Sequence, residues 1–448
     1  MPWCGAGALA PRKSLETGPD ATCVASVAFR IMGSKYATYF SYGLLHGQET
    51  TLDEFRATLS KFSRDQVVYL CSAINAILQS WLRGIPDPRS HEAIVRMFFD
   101  AHTADQLVSG SQKKEEPYFV FHRQQLLFIA KEAILCCPEL GENPLAHAPG
   151  LFGQLFLMAN DHQYYGFSES DDRDQKLSNA LAEVMPVGEY SGHRSFRNAI
   201  ARSHLMYTRF STELQSDSDF VDIPKKLGDL IGMEPAEFLG LCFGVLWKYV
   251  NIKAESFAAN PEIFSLGETF FSQTAIPREK LELFKKELSA RPAELKEAFE
   301  QHARGSFDFT AFKATPLVET HTHLSCIDPP FLAEKLETGP FWRVHFALGG
   351  DDEREKLHRF WGHVFERYMN WLFANSIELT SRYNRFYPSP RYSSDGTEVC
   401  DGIIVSGTSA VFMEYKGSTI TAQAKYSGDP DRLENEIESK LVRSPKRK

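Results

Sequence analysis

The 448-residue sequence is poor in several signals that would assign a chemistry at once. No apolar run approaches the roughly 20 residues that a membrane-crossing helix needs. The chain therefore reads as soluble, with no membrane partner expected. No GxxxxGK[ST] pattern occurs, and neither Ser191-Gly192-His193-Arg194 nor Gly349-Gly350 supplies a substitute, which excludes a nucleotide-driven motor. No CxxC pair occurs among the eight cysteines, at positions 4, 23, 71, 136, 137, 242, 326 and 400, so zinc and dithiol chemistry have no nominated ligands. Their scatter fits a reducing cytosol, and adjacent Cys136 and Cys137 read as packing residues rather than reactive ones. No fixed-period self-similarity marks a helical repeat array. Residues 1–31 are rich in Ala, Gly and Pro and lack the compact apolar segment of a secretory signal. They read as a loose tail ahead of Met32, of the kind an upstream start codon leaves.

What is present is ordinary globular material: 43% hydrophobic and 24% charged, long enough for two or three domains. The formal charge of −9 is unevenly spread. From Arg354 to Lys448 there are 15 Lys and Arg against 12 Asp and Glu, a local +3 that leaves −12 for residues 1–353. An acidic bulk argues against broad coating of nucleic acid, while a locally basic C-terminal part can still guide a phosphate backbone. The acidic stretch Glu169 to Asp174 reads as a solvated loop.

From Met32 to about residue 305 the apolar spacing is helical. Gln66 to Leu82 places Val67, Leu70, Cys71, Ile74, Ile77, Leu78 and Trp81 on one face, with Pro86 and Pro88 as stops. Further helices are expected at Glu92–His102, Phe121–Cys136, Asn198–Phe210, Glu234–Val250, Arg278–Ala290 and Pro292–Arg304. Residues 32–305 thus form an all-α region, suited to a protein partner or to target recognition. Residues 306–350 read as a β-rich connector, with strand-like pieces at Phe312–Thr322 and Trp342–Leu348 around a loop at Pro329 and Pro330. Residues 351–448 read as an α/β module: a helix at Asp351–Asn375, strands at Tyr383–Tyr387, Val399–Val405, Ala410–Tyr415 and Thr419–Ala424, and a closing helix at Pro430–Val442.

That module holds the informative residues. Asp401 lies inside an otherwise apolar strand, and Glu414 and Lys416 in the next strand point the same way because side chains alternate, while Tyr415 points opposite. Two carboxylates with a lysine beside them suit a hard divalent cation and an attacked phosphodiester. On the preceding helix, Gly362-His363-Val364-Phe365-Glu366-Arg367-Tyr368 sets Glu366 one turn after Gly362, whose missing side chain is expected to let the sheet approach that carboxylate. The apolar stripe beside it is Trp361, Val364, Phe365, Tyr368 and Leu372.

Asp401, Glu414, Lys416 and the G-x-x-F-E-x-Y helix together resemble the restriction-endonuclease-like superfamily, the PD-(D/E)XK nucleases, over roughly the last 95 residues. The resemblance implies a core of helix, three-strand meander, helix and a further strand. It implies Mg²⁺ or Mn²⁺ held by Asp401, Glu414, the Tyr415 carbonyl and Glu366, with Lys416 orienting the attacking water. The implied function is a cytoplasmic, metal-dependent deoxyribonuclease, with RNA left open as substrate, in defence or repair. Two departures stand: Cys400 replaces the motif's proline, and the last core strand has no counterpart, since Ser444–Lys448 reads as a basic terminus. A truncated or shifted frame, a borrowed strand or a degenerate nuclease each accounts for that. The alternative is an inactive nuclease-fold scaffold or binding protein, in which Asp401 ends a turn, Glu414 and Lys416 form a surface ion pair and Glu366 lies on the surface.

One rival constellation is Glu319-Thr320-His321-Thr322-His323, whose HxH spacing is that of metal-binding strands in amidohydrolase barrels. Eight alternating strand and helix units are lacking. The expectation is one satisfied and one exposed histidine.

Overall fold

The computed structural model describes residues 38–79, 86–112, 118–142, 149–162, 196–272, 276–301, 305–380, 384–417 and 419–442, with isolated positions between 163 and 195. The tail 1–31, Trp81, the acidic stretch Glu169–Asp174, Ser191–Arg194 and Ser444–Lys448 lie outside the described residues. Most of the described chain is helical, with three small sheets. Among the described residues no single helix is long and apolar enough to cross a membrane.

The centre of the helical body is α1 (Arg64–Leu78) packed on α2 (Arg123–Cys136). Every residue of α1 from Val67 onward is buried, so the apolar stripe read from the sequence is one side of a helix enclosed all round. α1 stops at Leu78, ahead of the prolines, because Gln79 takes a left-handed conformation (φ 47°). The Gln79 amide donates to the carbonyl of Val250 at 2.9 Å, at the end of α3 (Pro235–Val250). The segment expected as one helix at 92–102 is two, Pro88–Phe98 and Ala101–Ser111, because the Asp100 side chain accepts from the amides of His102 and Thr103 and starts a new helix. Two short strands, β1 (Thr38–Tyr39) and β2 (Tyr118–Phe119), pair in parallel within the region expected to be all α.

Residues 306–350 are not β-rich. Trp342–Leu348 falls largely inside α5 (Gly339–Ala347), and Pro329 and Pro330 open α4 (Pro329–Glu337) instead of marking a loop. The physical reasons are local: Asp328 caps the amide of Phe331, and proline suits a first helical turn. Phe341, Val344 and Leu348 recur at helical spacing, and all three are buried. Strand structure there is limited to β4 (Leu317–Glu319) and β5 (Leu324–Cys326). β4 also pairs in parallel with β3 (Ser289–Ala290), so a sheet spans the expected boundary at 305.

The C-terminal part is a helix α6 (Asp351–Thr380), an antiparallel meander β6 (Asn384–Pro388), β7 (Gly402–Ser406) and β8 (Ser409–Met413), then α7 (Ala422–Tyr426) and α8 (Pro430–Ile437). The expected strand at 419–424 is instead the entry to α7, because the Thr421 hydroxyl caps the Ala424 amide. Among the described residues no fourth strand joins this sheet.

α6 serves two partners. Its first half buries Leu357, Phe360 and Val364 in the core of the helical body, and Trp361 stacks on Tyr207 at 4.9 Å between centroids. Its second half lies on the meander, with Phe373 5.7 Å from Phe386 and 6.1 Å from Tyr415. Along its flank, Arg359 meets Asp219 at 3.0 Å, His363 meets Asp217 at 2.8 Å and Arg367 meets Glu213 at 3.0 Å, one rung per helical turn.

Candidate metal centre

At one end of the meander the chain leaves β6 through Ser389, whose φ of 40° is left-handed and turns the backbone away from the sheet. It returns through a bridge pairing Arg391 with Glu398 and enters β7 after Asp401. The Asp401 backbone continues the ladder: its amide donates to the Met413 carbonyl at 3.0 Å and its carbonyl accepts from Ser389 at 3.0 Å. α6 passes the same end of the sheet and brings Glu366 to it. One carboxylate oxygen from each of Glu366, Glu398 and Asp401 lies within 4.8 Å of the others, and all three residues are partly buried.

Tyr415 orients two of these acids. Its backbone amide donates to Asp401 Oδ2 at 2.5 Å. Its hydroxyl donates to Asn370 Oδ1 at 3.3 Å, Asn370 Nδ2 donates to Ser389 Oγ at 3.3 Å, and the Ser389 hydroxyl donates to Glu366 Oε1 at 2.9 Å. Burial, with the negative charges of Asp401 and Glu366 nearby, pushes the Tyr415 phenol up to about 12, so it stays a donor at neutral pH. Gly402 makes room for this ring: a Cβ there would sit 2.7 Å from Tyr415 Oη and 2.9 Å from the Phe386 ring. Gly362 has no such role, since a Cβ there meets nothing within 4 Å, and the expectation that it admits the sheet is corrected.

The structure thus brings together Glu366 and Asp401 and adds Glu398. It does not place Glu414 or Lys416 in that trio. Both follow the end of β8 at Met413, outside the strand that was expected to contain them. Their side chains face each other at 3.9 Å, and Glu414 is 56% exposed. Tyr415 points the other way, against α6, as alternation requires. Glu398 escapes sequence reasoning because only the turn at Ser389 and the Arg391–Glu398 bridge fold it back. Its one sequence signal is that it precedes Asp401 by three residues.

No protein-family model, curated protein or solved structure matches this chain. The site's chemistry is therefore read from its own donors. Three carboxylates repel one another unless a cation lies among them, and an all-oxygen set is what Mg²⁺, Mn²⁺ or Ca²⁺ prefers over softer metals. Among the described residues Arg391 is paired with the trio through Glu398 at 3.9 Å, and it is mostly exposed. The donor set fits a hard divalent ion held by Glu366, Glu398 and Asp401.

The HxH residues lie in the turn between β4 and β5 and are not part of the trio. His321 is exposed, with Nε2 3.1 Å from Glu139. His323 is buried, stacks on Tyr69 at 4.0 Å and has Nδ1 3.3 Å from Glu262.

Proposed function

We propose that the chain is a divalent-metal-dependent nuclease hydrolysing phosphodiester bonds of DNA, with the site at the Glu366, Glu398 and Asp401 end of the meander. The observation that carries this reading is the convergence of these three carboxylates from a helix, a loop and a strand entry. The order helix, three-strand meander, helix supports the resemblance to PD-(D/E)XK nucleases, with Glu398 taking the ligand position that the motif gives to Glu414. A bound Mg²⁺ or Mn²⁺ would supply charge neutralisation and a more acidic water. The protein's own part is positioning. The Tyr415 amide holds Asp401, the Ser389 hydroxyl holds Glu366, and Lys416, next in the chain to Tyr415, is the residue to meet the phosphate and balance charge that builds on it.

A second reading, a non-catalytic scaffold, draws on the exposed pairing of Glu414 with Lys416. Both are tested by incubating the full chain with plasmid and with labelled single strands in Mg²⁺ or Mn²⁺, beside Asp401→Asn, Glu398→Gln and Glu366→Gln. Cleavage that falls at least about a hundredfold in each variant supports the nuclease. Cleavage equal in parent and variants discards the site, and none on any substrate favours the scaffold.

A further inference from the structure

The sheet beside the carboxylates has one covered and one open face. The register sets Phe386, Ile404 and Val411 in one row; α6 covers that side at Phe386, which lies against Phe373, while Val411 on the outer strand stays 56% exposed. The adjacent row is Tyr387, Ile403 and Phe412, and it belongs to the opposite side. There, among the described residues, nothing covers the aromatic rings: Tyr387 is 50% and Phe412 63% exposed. Two rings on the outer strands of a three-stranded sheet stand about 10 Å apart, and the next row toward the strand ends is about 7 Å away. By alternation Asp401, just before the paired Gly402, and Glu414, just after the paired Met413, take the same side as the rings, so the open face runs toward the acids at the sheet's end. Exposed cations flank the face: Arg385 one row behind the rings, Lys416 paired with Glu414, and Arg391 after the turn, paired with Glu398.

We infer that this face is a stacking platform for single-stranded nucleic acid, which seats bases on Tyr387 and Phe412 so that the adjoining phosphate lies over the carboxylates. This deepens the nuclease reading and rests on it for the role of the acids. The argument for a single strand is steric and chemical. Bases inside a duplex are already stacked on each other and cannot lie on a protein ring, whereas every unpaired base has a free π-face. Arginine and lysine around the rings complement the backbone charge, and the acidic bulk of residues 1–353 confines that attraction to this end of the molecule. A protein partner of purely apolar chemistry would not use the flanking cations.

The test is binding without cleavage. Fluorescence anisotropy of a labelled 12-mer of dT, and of a blunt duplex of the same length, is measured with the full chain in EDTA, so that metal chemistry plays no part. Single strand bound at least about tenfold more tightly than duplex is expected. Tyr387→Ala and Phe412→Ala should each weaken it about tenfold or more, while Tyr387→Phe and Phe412→Tyr restore it. Binding read in EDTA and cleavage read with metal are separate measurements, so failure of the platform and failure of the metal site are told apart. A loss of cleavage with binding preserved therefore concerns the metal site alone. Equal affinity for duplex, or no effect of the two alanine variants, overturns the platform. So does a change in oligomeric state in Phe412→Ala, by sedimentation, with single-strand binding unchanged, because the face would then join two copies of the chain.

Discussion

Arg123 and Asp328 lie 205 residues apart and form a two-point pair inside the core, with Nε on Oδ1 at 2.9 Å and Nη2 on Oδ2 at 2.5 Å. Asn75 adds a third donor to Oδ1 at 2.9 Å, so α1, α2 and the start of α4 meet on a single carboxylate. Both charges are buried. Asp328→Ala strands a guanidinium away from water and is expected to cost about 3–5 kcal/mol, read from denaturant midpoints. A change under about 1 kcal/mol would show that solvent reaches the pair.

Gly402→Ala should destabilise the protein by about 1–3 kcal/mol, because the added methyl meets the Tyr415 hydroxyl, Phe386 and Met413 at 2.7–3.0 Å. Gly362→Ala should not destabilise it and gains helix propensity in open space. Melting temperatures of the two variants moving together would contradict this contrast.

Ser389→Ala removes the hydroxyl that fixes Glu366 without touching the proposed ligands. Mn²⁺ affinity by calorimetry should fall about 10–100-fold, as when other supporting partners of metal ligands are lost. Affinity equal to the parent's would separate Glu366 from the ion.

Two histidines make stability fall with acid. Burial depresses His91 to about 3 and His122 to about 4, so the fold keeps both neutral while an unfolded chain protonates them near 6.5. Their stabilisation is complete above about pH 6.5. It is lost as pH drops toward the folded values, with a slope of up to about 1.4 kcal/mol per pH unit for each group. In His91→Gln the slope of unfolding free energy between pH 6 and 4.5 should shrink by about half of that combined effect. An unchanged slope would assign the acid sensitivity elsewhere.

Much of the architecture was legible because its cause is local. Helical spacing marks α1, α2, α3 and α6, and the short apolar runs beside Asp401 and Glu414 mark the β7–β8 hairpin. The failures also have local causes that compete with pattern. Thr421 and Asp100 are caps that outrank the residues after them, and the paired prolines at 329 and 330 start a helix that composition alone reads as a loop. At the site, Glu366 and Asp401 stood out as acids in apolar surroundings. Glu398 did not, since its position follows from a left-handed serine and a two-residue bridge, which no spacing encodes. Alternation also told correctly which way Glu414 and Lys416 share, but not that the strand ends before them.

α6 has one side in the body's core and the other on the meander, and that sharing decides how the molecule comes apart. A fragment starting at Asp351 would expose Leu357, Phe360 and Val364 to water and lose every rung from Arg359 to Arg367, so it is an amputated limb rather than a detachable tool. Heat should therefore unfold the body and the meander together, in one transition.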